Sequence, residues 1–300
     1  MQKSGSCYNN GMNCSLEEIV TKDGLLLQGM YSEPKIKKHR AVLWMHGLSS
    51  AFYHEVKLTK LLVEAFETKG WGFAHFNSRG HDVLAGIRKK DSTSPYGYSY
   101  YQAGAGAEIF EESVFDINAG IDFLVAKGYD EIVLIGHSTG ANKACYYTAA
   151  QNNSHVVSVI LSGPISDRLS SPDAKKHLPF MKKLVREGKG DSLLLGYHFF
   201  PITPKRFISL FDPRSSEDVF DYGEEEPKLV IFSKIKIPLL VILSQKDEVA
   251  DRPVKEIQEA FDSHTISPVY KSVIIPDALH RYNGHESEVV SEIINWITSL

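Results

Sequence analysis

Apolar residues fall into short continuous runs separated by longer stretches in which they recur every three or four positions. "AVLWMHG" (41–47) is an unbroken apolar run closed by glycine, the pattern of a strand buried on both faces. "WGFAHFN" (71–77), "EIVLIG" (131–136), "VVSVILSG" (156–163), "IKIPLLVILS" (235–244) and "YKSVIIP" (270–276) repeat it. Between them, Phe110, Val114, Ile117, Ile121 and Leu124 trace one face of a helix over 108–127 that ends at Gly128. Helices are also expected near 54–69, 139–151 and 253–261, and in a last segment carrying Val289, Val290, Ile293, Ile294 and Ile297 on one side. Residues 16–33 read as two strands turning at Asp23-Gly24.

Strands alternating with helices predict an α/β fold: a mostly parallel central sheet, helices on both faces, and an antiparallel edge from the opening hairpin. Two segments break the rhythm. Residues 86–107 are rich in Tyr and Gly. Residues 164–234 separate two strands, too long a connection to lack structure, and predict an inserted helical cap. The expected organisation is a flexible leader over 1–15, a core of 16–163 and 235–300, and a cap or lid of 164–234.

The chemistry concentrates at strand ends. Gly136-His137-Ser138-Thr139-Gly140 fits G-x-S-x-G between a buried strand and a helix, the setting of a nucleophile elbow. A serine hydroxyl needs a base to take its proton and a third group to orient that base. On this topology the acid and then the histidine should follow in sequence. Asp247 stands just after one later strand and His280 after the next. Glu248, Asp251 and Asp277 are rivals for the acid, Asp251 having a competing use as a helix cap before Pro253, and His285 is the rival base. Backbone N–H groups of Thr139 and Leu48 are the candidate oxyanion hole, Gly47 letting the chain turn close. His46 reads as a structural residue beneath that loop, and Arg79 as a hydrogen-bonding hub. Tyr101 with its tyrosine neighbours, and His198 and Phe199 in the cap, either line the substrate pocket or cover loops.

These residues carry a resemblance. "HG" at 46–47, "NSRGHD" at 77–82, "GHSTG" at 136–140, Asp247 and "ALH" at 278–280 stand in the order of the α/β-hydrolase superfamily, and the chain resembles its esterase/lipase type. It is also similar to a branch containing fungal siderophore-ester hydrolases. Asp82 stands where the family commonly has glycine. The resemblance covers roughly 20–163 and 235–300. It implies a serine hydrolase of carboxylic esters, lactones or macrolactones included, that works through an acyl-enzyme and needs no cofactor. An acyltransferase or peptidase would use the same three residues.

Composition narrows the alternatives. A formal net charge of −4 over 300 residues is too mild for a nucleic-acid partner. No run approaches the ~18 apolar residues of a membrane span, and "MQKSGSCYNNGMNCS" lacks the apolar core of a secretory signal. Three cysteines, Cys7, Cys14 and Cys145, make no disulfide framework; Cys7 and Cys14 share the polar leader and could pair there, but two free thiols on a frayed end is the favoured reading. A cytoplasmic location and a small-molecule ester as partner are expected. No metal-ligand spacing occurs among the twelve histidines.

Overall fold

In a computed structural model, described for residues 14–224 and 228–300, the apolar runs assemble into one eight-stranded sheet. Its strands are β1 (Ser15–Val20), β2 (Leu26–Ser32), β3 (Arg40–Met45), β4 (Gly72–Phe76), β7 (Glu131–His137), β8 (Val156–Ser162), β9 (Leu239–Ser244) and β10 (Tyr270–Ile275), with β5 (Ala85–Lys90) and β6 (Tyr98–Ala103) forming a separate hairpin. The order across the sheet is β1-β2-β4-β3-β7-β8-β9-β10. β1 pairs antiparallel with β2, and β2 with β4, while every later pairing is parallel. The leader expected over 1–15, Cys7 included, lies outside the described residues except for Cys14 and Ser15.

Successive side chains of a strand point to opposite faces, so each central strand feeds two cores. On one face Leu43, Leu134, Leu161, Val241 and Leu243 pack with Ile117, Ile121 and Leu124 of α2 (Ser113–Ala126), Ala141 and Cys145 of α3 (Thr139–Ala150), and Ile257 and Phe261 of α7 (Val254–His264). On the other, Val42, Trp44, Ile135, Ile160, Leu240 and Ile242 pack with Leu58, Leu62 and Phe66 of α1 (Val56–Lys69), and Val289, Ile293 and Ile297 of α8 (Glu286–Ser299). Residues one apart in β3 thus serve different helices, which is why the runs read as uniformly apolar.

The β5–β6 hairpin is the element the hydrophobic pattern did not reveal. Only Ile87 and Ala103 of its two strands are buried, and Tyr100 is exposed, so no apolar run marks it. Residues 164–234 hold α4 (Asp167–Ser170), a 3-10 stretch (Pro172–His177), α5 (Leu178–Arg186) and α6 (Pro204–Phe211). Leu178, Met181, Leu184, Phe200, Phe207 and Phe211 make a small apolar cluster of their own, with Leu48 packed against it. The last third of the segment returns to the main core through Val219, Phe220, Tyr222, Leu229 and Phe232.

Parallel pairing aligns the carboxyl ends of β3, β7, β8, β9 and β10 on one edge of the sheet. Ligands gather at this edge in open α/β folds.

Candidate active site

Ser138 sits between β7 and α3 with φ 55° and ψ −128°, a strained conformation for a residue with a side chain. Two contacts hold it there. Its amide donates to the Ser162 carbonyl at the end of β8 (2.9 Å). Glycines on either side let β7 and α3 close in. A Cβ on Gly136 would stand 2.1 Å from the Gly140 carbonyl oxygen, and one on Gly140 2.3 Å from that of Met45. Backbone atoms cannot swing aside, so Gly136→Ala is expected to cost about 1–3 kcal/mol as overpacking. A thermal melt would show it, and an unchanged midpoint would refute so tight a contact.

The turn presents the serine hydroxyl to His280. Ser138 Oγ lies 2.9 Å from His280 Nε2, and His280 Nδ1 lies 2.8 Å from Asp247 Oδ2. The carboxylate accepts, so Nδ1 carries the proton and Nε2 is left to accept from the serine. Asp247 Oδ1 accepts the Val249 amide (3.0 Å), and its side chain is fully buried. The His280 amide donates to Glu248 Oε2 (2.9 Å), so Glu248 braces the loop, not the imidazole. The His137 ring lies against that of His280, centroids 5.2 Å apart, and the Tyr282 hydroxyl meets Ser162 Oγ at 2.8 Å. Burial holds the His137 pKa far below its ordinary value, so a neutral ring supports His280.

The rivals are occupied elsewhere. Asp251 pairs with Arg252 (2.7 Å), Asp277 with Lys246 (2.7 Å) and His285 with Glu288 (3.3 Å).

The Thr139 amide opens α3 directly after the serine, where the helix N-terminus favours negative charge. Gly47 packs on Ser138 so closely that a Cβ would stand 2.7 Å from the serine Cβ, which brings the Gly47–Leu48 peptide beside the hydroxyl. Among the described residues neither the Thr139 nor the Leu48 amide has a hydrogen-bond acceptor.

Arg79 is wholly buried and bonds Asp116, Asp23 and Glu112. The structure does not bring Tyr101 to Ser138. Its hydroxyl donates to Glu112 (3.3 Å) and its ring lies under Lys89, so it belongs to the Arg79 cluster. His198 and Phe199 lie in the 164–234 segment beside a cleft of about 400 Å³, together with His177, Tyr197 and Phe211. Burial and the Arg206 charge bring the His198 pKa down to about 4, and its Nδ1 is buried without a partner among the described residues.

Sequence reasoning passed over a buried ionic chain. Lys143 Nζ, on α3, lies 2.6 Å from Glu108 Oε2. Glu108 Oε1 lies 2.9 Å from Arg206 of α6, and Arg206 forks onto Glu217 (3.0 Å for one arm). All four side chains are at most 2% exposed. A lysine amid the apolar helix residues "GANKACYY" was the available sign. Asp167, after β8, was also missed. Burial, with Glu217 nearby, pushes its carboxyl up to about 7.

No curated protein matches the sequence at a significant level. Solved structures do. A siderophore hydrolase, EstB, from Aspergillus fumigatus superposes with TM-score 0.67 at 16% identity, over 97% of this chain and 99% of that one. A thermostable carboxyl esterase from Bacillus coagulans gives 0.65 at 18%, over 96% and 99%. An esterase from Pyrococcus furiosus gives 0.62 at 17%, over 100% and 96%. These likenesses, with the sheet order above, establish the α/β-hydrolase fold. A family model described as "Protein of unknown function (DUF1749)" matches residues 91–300, and the chain belongs to that family.

Proposed function

We propose that the protein is a serine hydrolase cleaving carboxylic esters. The observation that carries this reading is the unbroken run Ser138 Oγ–His280 Nε2 and His280 Nδ1–Asp247 Oδ2, at 2.9 and 2.8 Å, on a strained strand-to-helix turn. Ser138 attacks the ester carbonyl while His280 takes its proton. Asp247 holds the His280 tautomer and steadies the imidazolium that forms. The Thr139 and Leu48 amides receive the oxyanion. His280 then protonates the leaving alcohol. A water activated by the same imidazole attacks the acyl-Ser138, which releases the acid and regenerates the serine. The esterases and the siderophore hydrolase among the structural neighbours support this chemistry, and lactones and macrolactones are further candidate substrates of the same three residues. No described helix is long and apolar enough to cross a membrane.

A fluorophosphonate probe followed by peptide mass spectrometry tests the reading. One adduct is expected, on Ser138, and lost on prior denaturation. An adduct elsewhere, or none, refutes it. A panel running from p-nitrophenyl acetate through aryl esters to macrolactones then sets the substrate. Partition of product toward an added alcohol over water would move the assignment to acyl transfer, and cleavage of amides alone to a peptidase.

A further inference from the structure

His46 directly follows β3 and is 2% exposed. Its ring makes two bonds of opposite sense. Nε2 faces the Ser78 backbone amide (2.9 Å), and an amide N–H only donates, so Nε2 is the acceptor. In a neutral imidazole the proton then sits on Nδ1. Nδ1 lies 2.9 Å from the Gly47 carbonyl oxygen, which also accepts from the Ser50 amide (3.2 Å). Burial, reinforced by the Lys143 charge, lowers the His46 pKa to about 3, so the ring stays neutral.

A trans peptide sets its C=O and N–H in opposite directions. Two donors hold the Gly47 carbonyl on one side of its peptide plane, and the Leu48 N–H therefore points out of the other. The geometry points to His46 as the positioning residue of the oxyanion hole: by donating Nδ1–H to the Gly47 carbonyl it turns the Leu48 amide toward the oxygen of the carbonyl attacked by Ser138. This rests on the reading of Ser138 as nucleophile. The hold has work to do, because Ser49, next in the turn, has φ 52°, a conformation that a free loop would leave. The ring is itself held from below. Ser78 Oγ meets Nε2 at 3.2 Å and Lys143 Nζ at 3.3 Å, and Lys143 continues through Glu108 to Arg206 of the cap. Leu48 meanwhile packs its side chain on the cap's apolar cluster. The pointing of this amide is thereby tied, above and below, to the seating of the cap.

Two substitutions separate the donor from the acceptor. In His46→Asn the side-chain amide stands near the position of Nδ1 and keeps a donor for Gly47. In His46→Gln the polar end reaches only the position of Nε2. With p-nitrophenyl acetate, His46→Gln is expected to lower kcat about 100-fold, the loss of one oxyanion donor, with KM unchanged. Affinity for a trifluoromethyl ketone, which mimics the tetrahedral intermediate, should fall by the same factor. His46→Asn should keep most of kcat. Equal losses in both variants, or a loss confined to KM, would overturn the assignment. Nitrogen-15 NMR of the wild-type ring gives a readout that survives misfolding of either variant. Nδ1 should be protonated and Nε2 bare across about pH 5 to 9, and an Nε2–H tautomer would refute the proposal. If the wild type hydrolyses no ester and Ser138 takes no probe, the nucleophile reading has failed, whereas a wrong tautomer with intact hydrolysis fails this one alone.

Discussion

Ser138→Ala is expected to reduce ester-hydrolysis kcat by roughly 10⁵–10⁶, leaving only what the oxyanion donors and binding provide. Alanine removes the atom that forms the acyl bond and nothing else: the turn is fixed by the Ser138 amide and by the close approach of Gly136 to Gly140, which persist. Folding and KM should therefore change little. His280→Ala should fall to a similar level, since a hydroxyl without its base is as inert as no hydroxyl. The double variant should be no slower than either single one, because the two groups act as a unit. Asp247→Asn is expected to lose about 10⁴ by imposing the wrong His280 tautomer. The measurement is kcat on the best ester of the panel, with matching circular dichroism spectra. Additive losses in the double variant, or hydrolysis surviving Ser138→Ala, would exclude the mechanism.

Arg206→Met should carry the largest stability cost. Arg206 is fully buried, meets both Glu108 and Glu217, and donates Nε–H to the Ala105 carbonyl (2.9 Å). Methionine fills much of the volume but leaves two carboxylates buried beside one remaining cation, Lys143. Breaking a buried ion pair by removing one partner costs about 3–5 kcal/mol. A urea titration should show that loss as a lower midpoint with an unchanged slope. The pairs also set the sign of the pH dependence. Lys143 and Arg206 hold the Glu108 carboxyl below its ordinary value, so its contribution is present at neutral pH and fades as pH falls through the folded-state pKa. Arg206→Met should weaken that acid sensitivity. Adding Glu217→Gln to Arg206→Met should recover part of the loss, since the second carboxylate no longer lacks a counter-charge.

Most of the scaffold was legible because its signals are local. A buried parallel strand is a short apolar run, an amphipathic helix repeats every three or four residues, and glycines on either side of a serine mark a tight turn. Ser138, Asp247 and His280 are candidates because each is a polar residue in the first few positions after such a run. The structure adds what no local pattern encodes. Lys143 meets Glu108 across 35 positions and a change of element, and the two carry no shared spacing. The β5–β6 hairpin was hidden for the opposite reason. With little to bury, it writes almost nothing into the apolar pattern, and its tyrosines read equally well as pocket wall or as cover. Tyr101 shows the cost of that ambiguity, since its partner Glu112 lies eleven residues on and only the fold shows that the two meet.

The proposed reacting pair is drawn from distant parts of the chain. Ser138 stands at the end of β7, and His280, 142 positions later, follows the last strand to join the sheet. On the proposed mechanism, a chain cut or stalled before β10 holds a complete nucleophile turn and no base. Such a fragment would be silent toward phosphonates however well its first half folded. Probe stoichiometry on a given preparation therefore counts finished molecules, which makes the label a quality assay for recombinant material as well as a map of its chemistry.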